Sequence, residues 1–117
     1  EGKELVSAET PMVSEAHRFG GTPDFVIRTS EGLAMGDLKT SNGIYRDHLM
    51  QVAAYGLVWN ELHPTDPIVA GFHVARFSKD NPDFEHRYFT ELEGAARLFL
   101  TLRDAYALDL DLKKRCA

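Results

Sequence analysis

The sequence has 117 residues, enough for one domain with a modest core. Its hydrophobic content of 44% and charged content of 26% are those of an ordinary globular chain. A formal net charge of -5 argues against a protein that coats phosphate backbones with a generally basic surface, but it leaves room for phosphate chemistry through bound metal ions and a few local cations.

No run is long and apolar enough to span a membrane, and no signal-peptide pattern opens the chain. Cys116 stands alone, so there is no internal disulfide and a reducing, cytoplasmic compartment is expected. The chain opens abruptly in a strand-like stretch, which predicts a single domain over 1–117 that is truncated at its N-terminus. Glu4 to Val13 reads as one strand, with Pro11 marking an edge or a bend. Ser14-Glu15-Ala16-His17 is turn-like. Arg18-Phe19-Gly20-Gly21-Thr22-Pro23 then leads into a second strand; the glycines permit a bend or a close backbone approach, and Pro23 suits a strand start. Phe25-Val26-Ile27 is a continuous apolar run, expected to be buried on both sides.

The third strand runs from Leu33 to Lys39. Strand residues two apart share a face, so Leu33, Met35, Asp37 and Lys39 point one way, with Ala34 and Leu38 opposite. The turn lies within Ser30-Glu31-Gly32. A two-residue loop at Ser30-Glu31 sets Asp24 across from Asp37. A loop at Glu31-Gly32 sets Asp24 across from Lys39 instead. Either register gathers Asp24, Asp37 and Lys39 on one face. Two carboxylates held close repel unless a cation compensates them. A hard, oxygen-seeking ion such as Mg2+ supplies that charge through one or two carboxylates, waters and a substrate phosphate. Lys39 is then placed to hold or deprotonate an attacking water or to offset phosphate charge.

Thr40-Ser41-Asn42-Gly43 breaks the strand and supplies capping oxygens. A helix is expected from Tyr45 to Leu62, with Leu49, Val52, Ala53 and Gly56 as its apolar stripe and His48, Gln51 and Tyr55 on the neighbouring one. Pro64 and Pro67 forbid its continuation. Ile68–Phe77 and Phe84–Thr90 read as an antiparallel pair around the turn cluster 78–83. His73 and His86 alternate there with apolar neighbours and read as structural. Arg76, Lys79 and Arg87 fit a solvated hairpin as well as a nucleic-acid contact. A last helix over 91–108 carries Leu92, Ala95, Ala96, Phe99, Leu102 and Tyr106 as a core stripe. Lys113-Lys114-Arg115 is a short basic tail that solubilises or caps.

Pro23-Asp24, twelve residues, then Asp37-Leu38-Lys39 resembles the PD-(D/E)XK nuclease signature. Gln51-Val52-Ala53-Ala54-Tyr55 resembles the Gln-x-x-x-Tyr helix motif of its RecB-like branch, which includes phage exonucleases. The resemblance implies an α/β, restriction-endonuclease-like core: a mixed sheet of about five strands flanked by two helices, without the family's usual first helix. It further implies a Mg2+- or Mn2+-dependent deoxyribonuclease, an exonuclease rather than an endonuclease, in phage or recombination and repair processing. The expected roles are Asp24 and Asp37 with the Leu38 backbone carbonyl as metal ligands, Lys39 as the catalytic amine, and Gln51 and Tyr55 on the nucleic-acid side. Glu9, expected in the first strand, is the better upstream candidate to complete the metal shell, ahead of Glu15. DNA is the expected partner, alongside a helicase or recombination partner, in a bacterial or phage-infected host cell. Two rivals stand beside this reading. One is a binding module of the same fold that does not cut. The other is an unrelated α/β protein in which Asp24 and Lys39 form a plain cross-strand ion pair.

Overall fold

A computed structural model describes residues 3–117. The chain runs β1 (Glu4–Ala8), β2 (Met12–Ser14), β3 (Phe19–Gly21), β4 (Phe25–Thr29), β5 (Gly32–Thr40), α1 (Arg46–Leu62), β6 (Ile68–Phe77), β7 (Phe84–Phe89) and α2 (Glu93–Cys116). Five strands form a mixed sheet in the order β1-β4-β5-β6-β7, and β2 and β3 form a separate two-stranded ribbon. Among the described residues only the β5–β6 pair is parallel; the other neighbours are antiparallel. The parallel step follows from the connection, because a helix between two strands returns the chain to the same end of the sheet. The expected α/β class, the five-stranded mixed sheet and the two helices are therefore present.

The hairpin that was expected to place the acidic residues closes at Ser30-Glu31. Thr29 pairs with Gly32 and Phe25 with Gly36, which fixes the two-residue loop and sets Asp24 opposite Asp37. Gly32 holds a φ of 122°, a left-handed value that suits glycine, and Thr29 Oγ1 accepts the Glu31 N–H at 3.1 Å.

One face of the sheet makes the core. Val26, Leu33, Met35 and Val74 are fully buried under Val52, Val58 and Trp59 of α1. Each such side chain contributes roughly 1.5–3 kcal/mol through its removal from water. The helix also seals this layer through Trp59, whose indole N–H donates to the Asp66 carbonyl at 3.0 Å. The opposite face is more open. Phe25 and Ile27 are only half-buried, so the expected two-sided burial of Phe25-Val26-Ile27 holds for Val26 alone.

Three further expectations are corrected. The stretch from Glu4 to Val13 is not one strand: β1 ends at Ala8, and Glu9, with a φ of 51°, turns the chain into β2. Phe19-Gly20-Gly21 is not merely a lead-in but a strand paired with β2, Met12 to Gly21 and Ser14 to Phe19. The last helix extends to Cys116 rather than Leu108, and its expected stripe meets the core only at its start: Leu92 packs on the buried cluster and Ala95, Ala96 and Phe99 are half-buried. None of its described residues is fully buried, and Leu102 and Tyr106 are exposed, because its C-terminal part runs past the elements it packs on.

Candidate active site

The site forms where β5 passes the start of β4 and the middle of α1. Leu33 and Met35 share the face of Asp37 and are fully buried, which carries the Asp37 carboxylate into the core edge, where only 4% of the residue is exposed. Two residues on, Lys39 returns to the same face, and its Nζ lies 2.8 Å from Asp37 Oδ2. The same ammonium donates to Gln51 Oε1, so it is shared between the amide and the buried Asp37 carboxylate, which meets it as an ion pair.

Asp24 sits just before β4. Its Oδ2 accepts the Leu38 N–H at 2.6 Å, which clamps the carboxylate across the hairpin beside Asp37. The two carboxyls are near enough for Asp24 to bond the protonated Asp37 acid. Burial pushes the Asp37 acid up to about 6, Lys39 draws it back down, and Asp24 adds to the rise. The chance-match rival required Asp24 and Asp37 to stay apart and Lys39 to pair with Asp24. Here Lys39 pairs with Asp37, and the two carboxyls converge.

The helix stripe expected to overlook this cluster does so. Gln51 reaches Lys39. Burial and the charges of Asp37 and Asp24 raise the Tyr55 phenol above its ordinary value, so its hydroxyl lies within their field. Gly21 makes room for the tyrosine: a Cβ there would stand 2.1 Å from Tyr55 Cε1. His48 caps the helix by accepting the Tyr45 N–H at 3.1 Å, and burial with the neighbouring Lys39 charge lowers its pKa. His48 thus has a structural role, and the capping oxygens expected from residues 40–43 do not cap α1.

No family model and no curated protein matches this chain. The site must be judged on its own residues. The donor set suits a hard divalent cation: two carboxylates rather than thiolates or imidazoles. Among the described residues no third His, Cys, Asp or Glu joins the pair. Glu9 is anchored nearby, its N–H donating to the Asp24 carbonyl at 3.0 Å, but its side chain is exposed and does not complete such a group. Glu15 belongs to a different arrangement. The Glu61 carboxylate accepts from Ser14 Oγ at 2.6 Å and from the Glu15 and Ala16 N–H groups, pinning the β2–β3 turn onto α1.

Sequence reasoning missed two contributors. The Leu38 amide holds Asp24, although only its carbonyl had been assigned a role. Glu61 fixes the ribbon whose Gly21 receives Tyr55. Neither has a motif; both become visible only when the register is known. Two further histidines, His73 and His86, lie on the other face of the sheet, with Nδ1 and Nε2 3.0 Å apart. Arg87 pairs with Glu85 in an exposed position, which fits the solvated-hairpin reading, whereas Arg76 is buried, held by Asp83, Glu85 and the Ser41 carbonyl.

Proposed function

We propose that this chain is the core of a Mg2+- or Mn2+-dependent nuclease of the PD-(D/E)XK type that hydrolyses DNA phosphodiester bonds, an exonuclease in phage or recombination and repair processing. The reading is carried by one observation: Asp24, Asp37 and Lys39 converge beside Gln51 and Tyr55, with Asp37 buried and ion-paired to Lys39. The strand order and the helix between β5 and β6 are compatible with a restriction-endonuclease-like core.

Asp24 and Asp37 would hold the cation, with the Leu38 carbonyl as a third oxygen donor. When bound, the ion would supply Lewis acidity toward the phosphate and lower the pKa of coordinated water. The chain's own groups set the rest. Lys39 stands between Asp37 and Gln51, where it orients or deprotonates the attacking water and offsets the charge that builds on the phosphate. Gln51 accepts from the lysine through Oε1, which leaves its amide N–H to offer to a phosphate oxygen. Tyr55 presents its hydroxyl on the substrate side. The Leu38 amide holds the Asp24 carboxylate beside Asp37.

The test is cleavage of linear, circular and single-stranded DNA with and without Mn2+. Metal-dependent loss of linear DNA that spares circles supports an exonuclease, and absence of cleavage in every arm refutes the enzyme. A non-cutting DNA- or partner-binding module is the second reading, favoured by the lack of a third metal-binding side chain among the described residues. It predicts DNA binding without cleavage and without heat on adding Mn2+.

A further inference from the structure

A groove opens beside the site and shares two walls with it. Gln51 and Tyr55 form one side, Met50 and Asp47 of α1 extend it, and Phe19 of β3 and Phe99 of α2 close it. Its volume is about 260 Å³. That is just below the range of roughly 300–1,000 Å³ typical of sites for drug-sized ligands, so it suits one planar ring system rather than an extended ligand. The side chains around it are three aromatic rings and a thioether, all half-buried, so they leave ring and sulfur surface open to an occupant.

The wall is held in place before anything binds. Phe19 and Phe99 meet edge to face at 4.9 Å. The Arg103 guanidinium lies 5.1 Å from the centre of the Phe19 ring, and it donates to the carbonyls of His17 and Arg18 at 2.8 and 3.2 Å. Arg103 therefore ties α2 to the β2–β3 turn, which Glu61 ties to α1. Three elements that would otherwise slide are fixed around a gap between aromatic rings.

We propose that this groove receives one unstacked nucleobase of the strand being cut, and that the domain therefore acts on single-stranded or frayed DNA ends. The inference rests on the nuclease reading. Aromatic rings stack on any base because every base has a π face. The Asp47 carboxylate at the rim complements the exocyclic amino groups of adenine, cytosine and guanine, which donate hydrogen bonds. Gln51 and Tyr55 belong to both the groove and the site, so a base seated here leaves its own phosphate next to Lys39.

The experiment scans one unpaired nucleotide at a time along a short single-stranded oligonucleotide with the unmodified protein, with Ca2+ in place of Mg2+ to hold back cleavage. At each position the natural base is replaced by 2-aminopurine, read by fluorescence, or by an abasic sugar, read by affinity. One position near the scissile phosphate should show quenched 2-aminopurine fluorescence and a roughly tenfold loss of affinity when abasic, a size expected for one stacked base. Phe99→Ala should remove both effects while circular dichroism shows the fold retained. Equal affinities for abasic and base-bearing strands at every position overturn the groove assignment, and that comparison needs no variant. A stable dimer that excludes the oligonucleotide and is lost in Phe99→Ala gives the groove to a second copy and also overturns it. Metal-dependent cleavage with no base discrimination sinks this inference alone, whereas the absence of both cleavage and binding sinks the nuclease reading beneath it.

Discussion

Replacing Asp37 by asparagine keeps the side-chain volume and removes its charge, and the structure gives the sign and size of the effect. In the folded protein burial lifts the Asp37 acid from its ordinary 3.8 to about 6. The folded state thus holds this proton more tightly than the unfolded chain does. The stabilising effect of that proton is complete below about 3.8 and is lost as pH rises through about 6, so above 6 the ionised carboxylate costs stability. The difference corresponds to about 3 kcal/mol at most, and Lys39, which loses its partner in the variant, takes back part of it. Asp37→Asn should therefore be more stable than the parent by about 1–2 kcal/mol at pH 8 in EDTA, and of equal stability near pH 4. Urea unfolding of both proteins at the two pH values, with chelator throughout, measures this. A variant that is less stable at pH 8, or a difference that does not change with pH, refutes the view that Asp37 is held as a costly buried charge waiting for a cation.

Other outcomes follow from the same geometry. Lys39→Ala should abolish cleavage in a DNA assay while leaving the circular dichroism spectrum and Mn2+ binding largely intact; full activity would remove Lys39 from the mechanism. Gly21→Ala places a methyl group 2.1 Å from the Tyr55 ring and should cost about 1–3 kcal/mol in urea unfolding. The same variant should weaken oligonucleotide binding by displacing Tyr55, whereas Gly94→Ala, which meets nothing within 4 Å, should do neither. Leu33→Ala, in the fully buried layer under α1, should cost about 2–5 kcal/mol, which a shift in the urea midpoint reports.

The hairpin was legible because a strand alternates with period two: once Asp37 and Lys39 are on a strand with Leu33 and Met35, their common face is fixed. Only the loop length remained open, and the structure closes it at Ser30-Glu31. The α1 stripe was legible for a similar reason, since Val52, Ala53 and Gly56 repeat at helical spacing and are buried as expected. The failures share a cause. Glu9 and Phe19–Gly21 lie in a stretch where Pro11 and two glycines blur any period, so neither the bend nor the β2–β3 ribbon could be told from a loop. The stripe on α2 has the right spacing for a core helix, but spacing reports only that a face is apolar, not that anything covers it. Contacts made by backbone amides, such as Leu38 to Asp24, carry no residue signature at all.

The convergence of Asp24 and Asp37 is the point on which the functional account stands, and isothermal calorimetry with Mn2+ addresses it directly. The parent protein should bind the ion saturably, and both Asp24→Asn and Asp37→Asn should lose the heat while remaining folded. Heat that persists unchanged in both variants, or a folded parent that gives none, would contradict a shared metal site at this hairpin.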